Sequence, residues 1–185
     1  MITVTAPEGT LAYATYAARF ESLIMTATLS QTEAASVWYH DAAAVASEVA
    51  RNLGTSLEVG ASIVAAFSPR ERWSTNVAKA IAYSLGSRPA GLGNNLRMAD
   101  ASVAAGFDAL KGQKTNAFAR AIAGDTNAVV IDVWMMRAAG MDTDSPNKSQ
   151  YALLSEAVVA VAQQFGITPR TAQALIWIIV RGGAA

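Results

Sequence analysis

Stretches of helical apolar periodicity fill most of this chain, and each is bounded by recognisable start and stop residues. Thr5-Ala-Pro-Glu8, Ser30-Gln-Thr-Glu33 and Ser68-Pro-Arg-Glu71 each fit the capping box, in which a hydroxyl and a glutamate satisfy orphan amides reciprocally. Pro69 stands where a first helical residue would, its missing N–H costing nothing, and Thr168-Pro169 repeats that start. Gly54, Gly86, Gly106, Gly140 and Gly166 each follow a helical stretch, as glycines just past a helix end do. The pattern predicts helices over 8–27, 31–53, 57–66, 69–85, 95–105, 114–123, 133–139, 149–165 and 169–181. Ala128-Val-Val-Ile131 resembles a strand but has no partner, and it is expected to be a buried extended connection. Loops are expected at 86–94 and 141–148, where glycine, proline, asparagine and aspartate gather. The run Ala174–Val180 is apolar but far too short to span a bilayer, which predicts a buried helix and no membrane partner.

Composition sharpens the fold class. With 185 residues and 52% hydrophobic content, the chain suits one domain with a substantial core, and it is not a disordered segment. Alanine dominates and β-branched runs are short, so the fold is expected to be all-α. The chain contains no cysteine and one histidine, His40. Disulfides, thiolate zinc sites and cysteine-ligated clusters are therefore excluded, and no metal or other cofactor is expected. The start, Met1-Ile-Thr-Val4 leading into Pro7 and Glu8, lacks a basic-then-apolar opening, which predicts a cytoplasmic protein without a secretory signal.

Fourteen basic residues balance fourteen acidic ones, so the whole chain offers no general cationic grip on nucleic acid. The middle is locally basic, through Arg70, Arg72, Lys79, Arg88, Arg97, Lys111, Lys114 and Arg120.

A chemical signature lies in 110–140. Leu110-Lys-Gly112-Gln113-Lys114-Thr115-Asn116 is followed, 132 − 114 = 18 residues after the lysine, by Asp132, which comes after Val-Val-Ile and opens a helix ending near Arg137 and Gly140. This resembles the helix-hairpin-helix DNA glycosylase superfamily (HhH-GPD), in which a glycine-containing hairpin precedes a lysine and an aspartate opens a later helix. Phe67-Ser68 with Asn76 and Ala80 resembles the family's early helix, and Ile176-Trp-Ile-Ile-Val-Arg-Gly182 its late tryptophan-bearing one. The resemblance covers about 60–182 and is nearest to small phage-encoded relatives, which would place the protein in a host cytoplasm. The sequence departs from the pattern in two places. The hairpin lacks the proline and one glycine of Leu-Pro-Gly-x-Gly, and Trp134 stands where a histidine is usual.

The resemblance implies a two-lobed helical fold within one domain, 1–185, with one lobe over about 31–140 and the other formed by 1–30 and 141–185. It implies a duplex DNA partner with one nucleotide flipped into a cleft between the lobes. Asp132 would stabilise the oxocarbenium-like state formed as the base leaves C1′. Lys114, as a neutral amine, would attack that carbon and form a Schiff base, giving lyase activity at the abasic site. The turn Gly112-Gln113-Lys114-Thr115 would hold phosphate through backbone amides, and Arg70, Arg72 or Gln113 would fill the space left by the flipped nucleotide.

Each of these residues also has an ordinary structural reading. Asp132 is well placed as a helix N-cap, Lys114 as a solvated lysine of a first turn, and Trp73, Trp134 and Trp177 as core aromatics. His40 reads as a partly buried helical residue. Two other functions therefore stay open: hypermodification of DNA bases on the same fold, and a non-catalytic module that binds DNA or a protein.

Overall fold

A computed structural model describes residues 8–91 and 93–183 of the chain. The described residues are helical, with no strand among them. In order they form α1 (Glu8–Met25), α2 (Leu29–Leu53), α3 (Leu57–Phe67), α4 (Trp73–Ser84), α5 (Gly93–Ala105), a 3-10 turn (Gly106–Ala109), α6 (Gln113–Ile122), α7 (Val133–Ala138), α8 (Lys148–Gln164) and α9 (Pro169–Arg181). The predicted helices are all present, and Ala128–Ile131 is a buried connection without regular structure.

The chain forms two compact units, Val37–Ala128 and Met1–Ser36 with Val129–Ala184, and the first boundary falls inside α2. Residues 31–36 and 129–140, which the resemblance would group with the middle helices, lie in the unit made by the two ends of the chain.

The middle unit is built around α3. Its sequence, Leu-Glu-Val-Gly-Ala-Ser-Ile-Val-Ala-Ala-Phe, is apolar nearly all round, and every residue from Gly60 to Phe67 is buried. A helix without a polar face needs neighbours on all sides. Here α4, α5, α6 and the 3-10 turn supply them. Gly60 allows α2 to approach closely, since a Cβ there would lie 2.1 Å from the Ala46 carbonyl oxygen. Around the periphery, Asn52 Nδ2 donates to Ser84 Oγ at 3.0 Å, and Arg88 and Tyr83 both donate to Asp100.

In the terminal unit α1 packs on α8 and α9, and α9 on α7 and α8. Phe20, Met135, Met136, Leu154, Val158, Ile176 and Ile178 form the core. Thr168 caps α9 with its hydroxyl accepting from the Thr171 amide, and Pro169 stands at the first turn, as predicted. Asn147 and Gln150 form a reciprocal capping box on α8. Gly140 ends α7 with φ +72°, and the Arg19 guanidinium lies directly against it.

Two predicted helix starts are corrected. The box on α2 is Thr28–Gln31 rather than Ser30–Glu33: the Gln31 amide donates to Thr28 Oγ1 at 3.2 Å, and Gln31 Oε1 accepts from the Thr28 amide at 2.9 Å. Farther along, Ser68-Pro-Arg-Glu71 is not a helix start at all. The Ser68 hydroxyl turns back to donate to the Ala65 carbonyl of α3, and the Glu71 carboxylate pairs with Lys79. Arg70 takes φ +63°, a left-handed conformation that interrupts any helix, so α4 begins only at Trp73. The box Thr5–Glu8 lies outside the described residues. The five predicted stop glycines all have positive φ.

Candidate functional site

The predicted site residues fall into three groups. Gly112, Gln113, Lys114 and Thr115 form the start of α6, and Arg70 and Arg72 lie in the turn before α4, all within the middle unit. Asp132 belongs to the terminal unit.

Gly112 is the N-cap residue of α6, with φ −77°, ψ 129° and no side-chain cap. Its conformation is open to any residue, and a Cβ would meet nothing nearer than Thr115 Oγ1 at 3.6 Å. Gln113, Lys114 and Thr115 follow as the first three helical residues, whose backbone N–H groups have no carbonyl partner within the helix. Thr115 is buried, Lys114 half-buried and Gln113 exposed. The 3-10 turn and short connection before them are held by Asn116, whose Nδ2 donates to the Phe107 and Leu110 carbonyls at 2.9 and 3.2 Å. Asn116 Oδ1 accepts from Arg120 Nε at 2.8 Å, and the Arg120 guanidinium carbon lies 4.7 Å from the centre of the Phe107 ring. These residues border an open depression of about 500 Å³, lined also by Asp108, Lys111, Gln113 and Asp125. Two cations and two carboxylates share that surface, so charge alone does not select an anion there.

Lys114 stands one helical turn before Phe118, hence on the same face of α6. The Phe118 ring is 5.9 Å from that of Trp38 and 6.4 Å from that of Trp73, while Trp38 and Trp73 lie 5.3 Å apart. Both tryptophans are half-buried, packed against each other and against Phe118. His40 is exposed rather than partly buried, close to the Asp41 carboxylate at 3.6 Å. Arg70 and Arg72 are exposed, and Arg72 is the residue just before α4, whose first turn has no side-chain cap.

Asp132 is the most constrained of the predicted residues. Its Oδ1 accepts from the Trp134 and Met135 amides at 2.9 and 3.1 Å, capping α7. Its Oδ2 accepts from Trp177 Nε1 of α9 at 2.9 Å. The carboxylate is thereby fixed in orientation by three neutral donors and remains half-exposed. The sequence anticipates the cap but not the indole, because Trp177 is 45 residues away and only the packing of α9 on α7 brings it there. The approach to Asp132 is fixed by Tyr151 of α8. Its hydroxyl donates to the Val129 carbonyl at 2.9 Å and accepts from the Ile131 amide at 3.3 Å. Burial pushes the Tyr151 phenol up to about 12, with the Asp132 charge adding to the shift and the Ile131 amide opposing it.

The two tryptophans beside Asp132 are half-buried and each carries a stacked arginine. The Arg137 guanidinium carbon lies 4.6 Å from the centre of the Trp134 ring, and that of Arg181 lies 4.6 Å from the centre of the Trp177 ring. Among the described residues no group of three or more histidine, cysteine or acidic side chains could hold a metal ion. None of their helices is long and apolar enough to cross a membrane.

The molecule is an all-α protein of two helical units, with a helix-capping carboxylate in one and a helix start that bears a lysine and lacks a side-chain cap in the other. It belongs to the family of unknown function DUF7178, whose model matches residues 4–184. No curated protein and no solved structure matches the chain.

Proposed function

We propose that the protein acts on DNA by glycosylase-like chemistry, with Asp132 supporting the cationic state at C1′ as a base departs and Lys114 available to attack that carbon. The observation that carries this reading is the Asp132 carboxylate itself. It is held in one orientation by two backbone amides and an indole, none of which neutralises its charge, and it keeps access to solvent. A fixed, half-exposed negative charge suits a developing oxocarbenium ion, because no reorganisation is needed when the charge appears. Lys114 is consistent with the second role, being half-buried and without a side-chain hydrogen bond or ion pair among the described residues. Gly112, Gln113 and Thr115 offer uncapped backbone amides to a phosphate in this reading, and Arg70 and Arg72 are the exposed candidates for filling the vacated stack.

The experiment is incubation with duplexes carrying uracil, 5-hydroxymethyluracil, 8-oxoguanine or an abasic site, followed by borohydride. The expected result is base release abolished in Asp132→Asn, together with a trapped adduct absent from Lys114→Ala. Base release without an adduct would assign single-step hydrolysis and remove Lys114 from the chemistry. Neither product on any substrate would refute the reading for these bases.

One observation favours a second reading, a DNA-binding module without catalysis. Three of the roughly four acceptor positions of the Asp132 carboxylate are already used in holding α7 and α9. In that case Asp132→Asn changes stability alone and DNA binding persists without any product.

A further inference from the structure

Neither Arg137 nor Arg181 stands out in the sequence, where each reads as the last-turn cation of an ordinary helix. The fold gives them a shared setting. Each guanidinium lies over the ring of a tryptophan one turn earlier on its own helix, both at 4.6 Å. Those two tryptophans are tied to the same carboxylate, Trp134 through its amide and Trp177 through its indole N–H. Helices α7 and α9 contain no aspartate or glutamate, so nothing on either helix competes for the two cations. Asp132, the acidic residue beside them, spends its oxygens on neutral donors and forms no ion pair with either arginine. The rings cover one face of each guanidinium, which orients the group while leaving its in-plane N–H donors unspent, with no acceptor among the described residues.

We infer that Arg137 and Arg181 form a phosphate clamp that grips the DNA backbone on either side of the nucleotide presented to Asp132. This rests on the DNA-directed reading above and adds to it the residues that would position the strand. The chemistry fits a phosphodiester backbone better than a protein partner: two pre-oriented planar forks suit phosphate oxygens, which accept bidentate hydrogen bonds. The grip would come from these two oriented guanidinium groups and not from net charge, which is zero over the whole chain.

The test is the salt dependence of affinity for a duplex of about 20 base pairs, measured by fluorescence anisotropy between about 50 and 200 mM chloride on the full chain. Every phosphate no longer neutralised should flatten the slope of log K against log salt by about 0.9, so Arg137→Gln with Arg181→Gln should flatten it by about 1.8. Each single variant should give half that change, and the paired lysine variants should restore most of the slope by keeping the charge. A slope in the double glutamine variant equal to that of the unchanged protein would overturn the clamp, as would failure of the unchanged protein to bind the duplex at the lowest salt. If the double variant does not fold, the two single variants decide by the same criterion. The outcomes separate from those of the catalytic reading. A flattened slope in a protein that releases no base keeps the clamp and drops the glycosylase, and base release with an unchanged slope does the reverse.

Discussion

Replacing Tyr151 by phenylalanine removes one oxygen atom and should strand two backbone groups. The hydroxyl bridges the Val129 carbonyl and the Ile131 amide, and Val129, Ile131 and Tyr151 are all at most 8% exposed. No other hydrogen bond to either group is present in the described structure, because 128–132 belongs to neither helix nor sheet. A buried polar group left without its partner costs about 1–3 kcal/mol. Two such groups, with some relief from backbone adjustment, should cost about 3 kcal/mol in all. With a urea slope of roughly 2–3 kcal/mol/M, the midpoint of unfolding should fall by about 1 M. Circular dichroism during urea titration at neutral pH reads this directly.

The same substitution should alter the alkaline limb of stability. The folded phenol is raised to about 12, above its ordinary value of 10.0. The folded state therefore holds its proton while the unfolded state loses it, and the contribution, complete below about pH 10, disappears as pH rises toward about 12. Tyr151→Phe should reduce the slope of stability against pH in that window. Tyr83 contributes in the same direction, since burial first and then its bond to Asp100 push its phenol to about 12 as well. A midpoint shift below about 0.2 M urea at neutral pH would refute the reasoning, showing that the connection finds other partners without the hydroxyl.

Other substitutions test the remaining structural claims. Gly60→Ala should destabilise by about 3 kcal/mol, because its Cβ meets a helix backbone rather than a side chain that can swing aside. Gly112→Ala, at φ −77° with its nearest neighbour at 3.6 Å, should stay within about 0.5 kcal/mol in the same urea assay. Asp132→Asn should keep the cap on α7 while setting an amide against the Trp177 indole N–H, lowering stability by about 1–2 kcal/mol; Asp132→Ala, which also removes the cap, should cost about 1 kcal/mol more. A larger drop in the asparagine variant than in the alanine one would contradict that division of roles. Thr168→Ala should cost about 1 kcal/mol by removing the α9 cap, read as a fall in the thermal midpoint.

The sequence by itself determined the helical architecture and most of its punctuation. Apolar period, cap residues and stop glycines act over four or five residues, so α3, α6, α8 and α9 were legible to within a residue or two. The cap role of Asp132 was equally local. Reading failed where a capping residue had another partner for its hydrogen bonds close by in the chain. Ser68 bonds back to α3 and Glu71 goes to Lys79, so a well-formed capping box produced a left-handed Arg70 instead of a helix. The functional reading divides the same way. Lys114, Gly112 and Asp132 were named only through a family resemblance, whereas the indole on Asp132, the tyrosine that fixes 129–131 and the two arginines stacked on tryptophan came only with the fold. The indole and tyrosine bonds join residues 20–45 positions apart through the packing of α7, α8 and α9. Such pairings leave no periodic trace in the sequence, because nothing in the spacing of one helix specifies which side chain of another will reach it.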